Sequence, residues 1–340
     1  MNKEKINILL LDESPKSSQE TFIKNDFTNI EYLSQGLEEN ELCEKITNTH
    51  ILGIRSKTKV SEKALHAAKN LLAIGRFGIG VNNVDLEAAK NLGIPVFNAP
   101  FASTRSVAEL VIANIFNLMR GIPDKNTGAH QKKWLKSPKN AFEIKNKNLG
   151  IIGYSNIGKQ ISIMAEALGM NIYYYDVIDQ LPIGKAQKMN NLEELLKISD
   201  VITIHVPGLP STENLISKKE FEIMKDGSYL INTSRGTIIN EDDTVDAIKS
   251  GKLAGAALDV FWKEPKKKDE IFESPFQGLK NLILTPHIAG STKEAQIKLG
   301  EEVTQKLINL ISNKQYFSSL NISKKESEIF ENRYNNILNK

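Results

Sequence analysis

The stretch that decides the fold of this 340-residue chain is Leu149-Gly150-Ile151-Ile152-Gly153-Tyr154-Ser155-Asn156-Ile157-Gly158. An apolar strand runs into a glycine turn and a helical pattern opens directly after it, which is the context that the dinucleotide fingerprint G-x-G-x-x-G requires. In this interpretation Gly153 permits the turn, Gly158 lets the helix pack against the sheet, and the helix N-terminus binds a pyrophosphate. Ser155 replaces the middle glycine, and its side chain would either crowd the pyrophosphate or donate a hydrogen bond to it.

An acidic residue follows this loop at the spacing of a dinucleotide site. Asp176 ends the next apolar strand, Ile172–Tyr175, and lies about 20 residues beyond the loop, where an acid binds the adenosine ribose hydroxyls. A carboxylate at this place repels the 2′-phosphate of NADP, so the sequence predicts NAD as the cofactor. The alternative is that Asp176 only begins a turn.

Short apolar strands alternate with longer helical patterns on both sides of the loop. Continuous apolar strands separated by helices indicate parallel sheets that are covered on both faces, so the fold class is α/β. The length favours two domains, each with its own doubly wound parallel sheet. The predicted strands are Ile6–Leu11, Ile51–Arg55, Leu71–Gly75, Ile94–Asn98, Leu149–Ile152, Ile172–Tyr175, Val201–His205, Tyr229–Asn232, Ala256–Leu258 and Leu282–Leu284.

Helices are expected at Ser61–Asn70, from about Thr104 to Arg120, onward to about Leu135, and from Thr292 to about Leu310. The segment from Ser137 to Lys147 is interpreted as a surface connection. The tail from Ser323 to Lys340 is charged and rich in asparagine, which predicts a marginal helix or disorder.

The composition excludes several classes of function. A net charge of +3 is too small to indicate nucleic acid, and the basic run Lys266-Lys267-Lys268 is interpreted as a solvated loop. The sole cysteine, Cys43, cannot form an intrachain disulfide and is interpreted as a structural residue. The apolar stretch Ile6–Leu11 is too short for a signal peptide, and no run approaches the ~20 residues of a membrane helix. A cytoplasmic protein without a membrane partner is expected.

Three strands lead into segments that each carry one notable charge: Arg235, Glu264 and His287. The carboxyl ends of parallel strands line the ligand crevice of such a sheet, so these charges are predicted to converge. Oxidation of a hydroxy acid needs a cation for the carboxylate and the C2 oxygen, which suits Arg235. It also needs a group that exchanges the hydroxyl proton, which suits His287, and an acid that orients this histidine, which suits Glu264.

Each of these residues alone has a structural alternative, Arg235 as an ordinary ion-pair partner and His287 as a packing histidine. Their joint order on successive strand ends favours catalysis. The other histidines, His50, His66 and His130, are interpreted as surface or packing residues. His205 ends a strand, and it is either a neighbour of the nicotinamide or a core residue.

Taken together, these segments resemble the D-2-hydroxyacid dehydrogenases over roughly residues 5–320. The resemblance is carried by Asn98-Ala99-Pro100, Thr104-Arg105-Ser106-Val107-Ala108-Glu109, the Gly153–Gly158 loop, Ser234-Arg235-Gly236, Ala257-Leu258-Asp259-Val260-Phe261 and Pro286-His287-Ile288-Ala289-Gly290-Ser291-Thr292-Lys293-Glu294-Ala295. It implies that Arg235, Glu264 and His287 are the catalytic set, with His287 as proton donor in the reducing direction, and that no metal takes part. The implied NAD contacts are Gly153, Ser155, Asn156, Ile157, Gly158, Asp176, Val206, Thr233, Ser234, Arg235, Asp259, His287, Ala289 and Gly290.

The resemblance also implies the domain organisation. A discontinuous, flavodoxin-like substrate-binding domain of residues 1–98 and 290–340 would enclose an NAD-binding domain of residues 99–289. Members of the family usually dimerise, so a homodimer or homotetramer is expected. The chain ends at Lys340, and no C-terminal regulatory domain is expected.

The substrate is predicted to be a small phosphorylated 2-hydroxy acid. Arg55, Ser56 and Lys57 form a basic cluster after a strand, and Gly80 lies in a turn that resembles the carboxylate-binding turn of the family; Arg235 and His287 complete the expected substrate contacts. Two or three cations beside a carboxylate site suit a phosphorylated acid better than lactate, although a solvated turn is the alternative. Two rival functions stay open: reduction of hydroxypyruvate, glyoxylate or pyruvate, and an NAD-sensing protein without catalysis.

Overall fold

The computed structural model describes residues 3–265 and 270–338. Its backbone divides into two compact units, Met1–Ser103 with Thr292–Lys340, and Thr104–Ser291. The corresponding boundaries predicted from the sequence follow residues 98 and 289. The basic run Lys266–Lys268 lies outside the described residues.

The first unit is built on a parallel sheet. Among its described residues, five strands lie in the order β2-β1-β3-β4-β5, the doubly wound order that flavodoxin shares. The strands are β1 (Ile8–Leu10), β2 (Ile30–Tyr32), β3 (Ile51–Ile54), β4 (Ala73–Arg76) and β5 (Val96–Phe97). The helices are α1 (Lys16–Lys24), α2 (Glu39–Ile46), α3 (Glu62–Ala67), α4 (Leu86–Asn91), α11 (Lys293–Asn313) and α12 (Ser327–Leu338).

The helix α11 seals one face of this sheet. Its apolar residues recur at helical spacing, and Leu299, Val303 and Leu307 are buried in the core. Gly75 in β4 has no room for a side chain, because a Cβ there would lie 2.7 Å from Leu307 Cδ1. Close helix–sheet packing therefore explains this glycine.

Residues Ser327–Leu338 of the tail form a packed helix, so the helix is confirmed there and the alternative of disorder was wrong. Phe330 and Tyr334 of α12 are buried at i and i+4, and the Tyr334 hydroxyl donates to the carbonyl of Ile311. The Arg333 guanidinium donates to the carbonyls of Ala68 and Leu71. These partners lie far away in the sequence, which is why composition alone underestimated the tail.

The second unit carries the fingerprint loop. Its described residues form seven parallel strands in the order β12-β11-β10-β9-β6-β7-β8, the Rossmann order extended by one strand. The strands are β6 (Asn148–Ile152), β7 (Asn171–Tyr175), β8 (Gln187–Lys188), β9 (Val201–Ile204), β10 (Ser228–Asn232), β11 (Leu253–Leu258) and β12 (Leu282–Leu284). The helices are α5 (Thr104–Met119), α6 (Ile122–His130), α7 (Asn156–Ala167), α8 (Leu192–Ile198), α9 (Lys218–Ile223) and α10 (Glu241–Ser250).

The strand predictions missed two short members, β2 and β8. β2 is only partly buried and β8 is exposed, so neither shows the continuous apolar run that marked the others. The helix expected to reach Leu135 is α6, which ends at His130. Gly121, with φ of 61°, separates it from α5. Within the described residues, no helix is both long enough and apolar enough to cross a membrane. Cys43 is partly buried against apolar neighbours, in line with a structural role.

Candidate active site

The fingerprint loop lies at the switch point of the second unit, where β6 has β7 on one side and β9 on the other. Gly153 has φ of 90°, and a Cβ there would lie 2.5 Å from the carbonyl oxygen of His205. A Cβ on Gly158 would lie 2.4 Å from the Gly153 carbonyl oxygen. Both glycines are therefore required, one for the turn and one for the close start of α7.

Ser155, the departure from the fingerprint, takes a backbone conformation that needs no glycine. It is the N-cap of α7 with φ of −90°, and its side chain makes no capping hydrogen bond. Ser155 and Asn156 are exposed and Ile157 is half-buried. The N-terminus of α7 thus presents its N–H groups beside a hydroxyl that is not used for capping, which suits an anion.

Asp176 follows β7 and is tied to the same loop. Its Oδ2 accepts the Tyr154 N–H at 2.7 Å, and its Oδ1 accepts the Ile178 N–H at 2.9 Å. The ring of Tyr154 stacks on Tyr174 at 3.7 Å and lies fully buried. Asp176 is only half-buried, and each carboxylate oxygen can accept a further hydrogen bond. A turn and a ribose site are therefore compatible at this residue.

His205 has a core environment. It is buried, and its Nε2 lies 2.7 Å from the Thr203 hydroxyl. Burial lowers its pKa to about 3, so the ring is neutral near neutral pH. The neighbouring Val206 lines the place where a side chain on Gly153 would lie.

Arg235 follows β10, and hydrogen bonds of its neighbours fix the backbone there. Asn232 Nδ2 donates to the Arg235 carbonyl at 2.9 Å, and Ser234 Oγ donates to the Ile204 carbonyl at 2.6 Å. A Cβ on Gly236 would lie 2.0 Å from the carbonyl carbon of Phe261, so only glycine lets this loop pass beside the Phe261–Glu264 turn. Burial lowers the pKa of the Arg235 guanidinium, and the charge of Glu264 partly offsets that effect.

The structure brings the side chains of Glu264 and His287 into contact. His287 Nδ1 lies 2.8 Å from Glu264 Oε2, and the Phe261 N–H donates to Glu264 Oε1 at 3.2 Å. Burial raises the pKa of Glu264, but the hydrogen bond and charge of His287, the Phe261 N–H and the charge of Arg235 together outweigh it and lower that pKa. The carboxylate is therefore ionised and holds the imidazole by Nδ1, which leaves Nε2 as the nitrogen that can exchange a proton.

The turn that carries His287 is organised by Asp259, a role that the sequence did not suggest. The buried Asp259 carboxylate accepts the Thr285 hydroxyl at 2.6 Å, the Ile288 N–H at 2.9 Å and the Ala289 N–H at 2.8 Å. The Asp259 carbonyl accepts the His287 N–H at 2.8 Å. His287 itself has φ of 54°, a conformation that costs a non-glycine residue about 1–3 kcal/mol and that its surroundings must hold.

The second unit also has groups that suit a nicotinamide dinucleotide. The Gly153 turn has no room for a side chain, and the α7 N-terminus is free to receive phosphate. Thr233 Oγ1 is buried and makes no hydrogen bond among the described residues, so a polar group of a ligand could satisfy it. Ser234, Ala289 and Gly290 lie on the same strand-end loops as Arg235 and His287.

The remaining predicted substrate residues belong to the first unit. Arg55, Ser56 and Lys57 follow β3, and the Lys57 and Ser56 side chains are exposed while Arg55 is half-buried. Gly80 lies in the turn after β4, which Asn98 Nδ2 fixes by donating to the Ile79 carbonyl at 2.6 Å. In the part of the chain that the structure describes, no cluster of His, Cys, Asp or Glu could hold a metal ion.

A Rossmann sheet with a built dinucleotide loop, a glutamate–histidine pair and a half-buried arginine defines the class: a nicotinamide-dependent dehydrogenase. The chain belongs to the D-2-hydroxyacid dehydrogenases. Residues 112–289 match the family model described as "D-isomer specific 2-hydroxyacid dehydrogenase, NAD binding domain", and NAD is the cofactor.

Named relatives agree with this assignment. The chain is 47% identical to D-3-phosphoglycerate dehydrogenase of Escherichia coli K12 over 94% of this chain and 78% of that protein. It is 45% identical to the Dictyostelium discoideum protein of the same name over the same shares. Among solved structures, Aquifex aeolicus D-lactate dehydrogenase, complexed with NAD and lactic acid, has a TM-score of 0.79 and 26% identity over 96% of this chain and 98% of that one.

Proposed function

We propose that this protein oxidises D-3-phosphoglycerate to 3-phosphohydroxypyruvate, the entry reaction of L-serine synthesis. The observation that carries the reaction type is the 2.8 Å contact between Glu264 and His287, close to the charge of Arg235. The substrate rests on the basic loop at Arg55 and Lys57 and on the 47% identity to an enzyme named for this acid.

The proposed roles follow from the geometry. Arg235 binds the substrate carboxylate and the C2 oxygen with its planar fork. His287 Nε2 accepts the proton of the C2 hydroxyl, and Glu264 stabilises the resulting imidazolium through Nδ1. NAD, when bound, accepts the hydride that leaves C2. Arg55 and Lys57 bind the phosphate group, and N–H groups of the turn that contains Gly80 assist the carboxylate.

The test follows NADH absorbance with purified protein. The acids 3-phosphoglycerate, D-glycerate and D-lactate are compared as hydride donors, and phosphohydroxypyruvate, hydroxypyruvate, glyoxylate and pyruvate as acceptors. A strong preference for the phosphorylated pair supports the proposal. Equal or better rates with unphosphorylated acids keep the family and reject the substrate, and no turnover with any acid favours an NAD-binding protein without catalysis.

A paired substitution ties the preference to the loop. Replacing both Arg55 and Lys57 with alanine should raise KM for 3-phosphoglycerate about 10²- to 10⁴-fold, because each of the two lost charge-assisted contacts contributes about 1.5–3 kcal/mol. Lys63→Ala is the matched control, since Lys63 is an exposed lysine on α3. An unchanged KM in the double variant would contradict a phosphate site at this loop.

A further inference from the structure

One buried carboxylate in the first unit has no role in the reaction derived above. Asp12 follows β1 and is 2% exposed. Its Oδ2 accepts the N–H groups of Arg55 and Thr58, each at 3.0 Å, and its Oδ1 accepts the Thr58 hydroxyl at 2.6 Å. All three donors belong to the loop that carries the basic cluster.

The backbone around Asp12 is strained. Asp12 and Glu13 have φ of 63° and 54°, the left-handed region that disfavours residues with a side chain. A buried anion is also unfavourable unless hydrogen bonds satisfy it. Strain and a buried charge at one residue persist only when the surroundings hold them, and such residues concentrate at functional sites.

The same loop is fastened from a second side. Asn83 Nδ2 donates to the carbonyl of Arg55 at 2.8 Å and to the carbonyl of Thr58 at 2.6 Å. The Thr58 hydroxyl in turn accepts the Leu37 N–H at 3.2 Å. The two ends of the loop are thus fixed, whereas Ser56 and Lys57 between them are exposed.

This arrangement fixes the backbone from which two cationic side chains extend. Lys57 Nζ lies 3.9 Å from the Glu13 carboxylate, and both side chains are substantially exposed, so this pair is weak and a dianion can displace Glu13. Binding a phosphate needs Arg55 and Lys57 to converge on it, and a fixed backbone reduces the entropy lost when they do.

We propose that Asp12 is a positioning residue that sets the preference for a phosphorylated substrate by holding the 55–58 loop in its binding conformation. The proposal rests on the proposed function, because it needs a phosphate for the loop to bind. Asp12 acts through Arg55 and Lys57 and does not touch the substrate.

The test is steady-state kinetics of the full chain with Asp12→Asn. An asparagine can keep one acceptor oxygen for the two N–H groups, but it loses the negative charge and the acceptor of the Thr58 hydroxyl, so the anchor of the loop is weakened. We expect KM for 3-phosphoglycerate to rise about 10- to 100-fold, the cost of a misplaced binding group. The value of kcat and the KM for NAD should change less than about threefold, and KM for D-glycerate should change little, because neither depends on a phosphate contact.

A matched pair at Thr58 separates positioning from loss of folding. Thr58→Ser keeps the hydroxyl that Asp12 accepts, and Thr58→Val removes it at almost constant volume. We expect Thr58→Val to reproduce the selective rise in KM and Thr58→Ser to stay near wild type, with the thermal unfolding midpoint measured for all variants.

The outcomes are distinguishable. If the wild type prefers 3-phosphoglycerate but both Asp12→Asn and Thr58→Val keep its KM, the positioning role is wrong and the proposed function stands. It is equally wrong if KM for D-glycerate and NAD rises in parallel, because that is general destabilisation. If the wild type does not prefer the phosphorylated acid, the proposed function fails and takes the positioning role with it.

Discussion

In each of the two units, a buried aspartate holds one predicted site loop through hydrogen bonds. In the first unit the buried Asp12 follows β1 and accepts hydrogen bonds from the loop after β3. In the second unit the buried Asp259 follows β11 and accepts hydrogen bonds from the turn after β12. In both cases a carboxylate at the end of one strand accepts N–H groups from the loop of the adjacent strand in the sheet.

The two loops differ in what their aspartate leaves free. Asp12 accepts hydrogen bonds from both ends of a loop that carries cations. The backbone of this loop is therefore fixed, while its cationic side chains can still adopt more than one orientation toward a ligand. Asp259 brackets His287 closely, since its carbonyl accepts the His287 N–H and its carboxylate accepts the next two N–H groups. We infer that the hydrogen bonds of Asp12 control substrate binding and therefore KM. The hydrogen bonds of Asp259 control proton transfer and therefore kcat.

The largest effect is expected from removing His287, the proposed proton-transfer group. His287→Ala should lower kcat about 10²–10⁴-fold, the usual contribution of a general acid–base. KM for the substrate should change far less than kcat. His130→Ala, at an exposed histidine of α6, is the control for loss of an imidazole. Intact turnover by His287→Ala would remove this residue from the mechanism and erase the contrast between the two loops.

Arg235 tests the contrast in another way, because it lies in the second unit and is proposed to bind the substrate. Arg235→Lys keeps the charge and loses the bidentate fork, so kcat/KM should fall by roughly 100-fold. Arg105→Lys is the control, since Arg105 is an exposed arginine paired with Glu109. Near-normal kcat and KM in Arg235→Lys would show that a point charge suffices and that the fork is not used.

Asp259→Asn tests the hydrogen bonds that hold the turn of His287. One carboxylate oxygen becomes an N–H₂ group that faces N–H donors, so the turn should release the left-handed conformation of His287. We expect kcat to fall roughly 10- to 100-fold, as for a catalytic group displaced by about 1 Å. Asp246→Asn on the exposed face of α10 is the control. A change confined to KM for NAD would instead favour the cofactor contact that the family resemblance implies for Asp259.

Much of this arrangement could be predicted because its signals are local. The apolar runs gave the buried strands, and the charges directly after them gave Arg235, Glu264 and His287. The hydrogen bonds of Asp12 and Asp259 could not be predicted from the sequence for a physical reason. They join residues 26 to 46 positions apart, which only the sheet order brings together. The sequence shows Asp12 directly after an apolar strand, but it does not show which loop lies beside that strand.

Glu264→Gln should separate charge from geometry in the acid–base pair. The pKa of Glu264 is lowered in the folded protein, so the pair is present above the ordinary carboxyl range and is lost only as the pH falls through the lowered value. Glutamine can still accept the His287 N–H but cannot stabilise an imidazolium. In the wild type the rate in the reducing direction, which needs the imidazolium, should therefore fall as the pH drops through the lowered pKa of Glu264, whereas Glu264→Gln should lack this acid limb.

The control for this profile is Glu273→Gln, at an exposed glutamate outside the pair. The measurement is kcat/KM for phosphohydroxypyruvate across the pH range in which the wild type loses activity. An identical profile for Glu264→Gln and wild type would mean that Glu264 orients His287 without supporting its charge.

The smallest effect is expected at Ser155, although the fingerprint departs from its usual pattern there. With φ of −90° and an exposed side chain, Ser155 is not strained, and Ser155→Gly should change KM for NAD by less than about threefold, as surface substitutions usually do. Gly153→Ala is the opposite case, because its φ is 90° and its Cβ would lie 2.5 Å from a carbonyl oxygen. A large fall in KM for Ser155→Gly would show that the serine crowds the pyrophosphate, and a large rise would show that its hydroxyl binds it. Either result would add the cofactor loop to the parts of this chain that set KM.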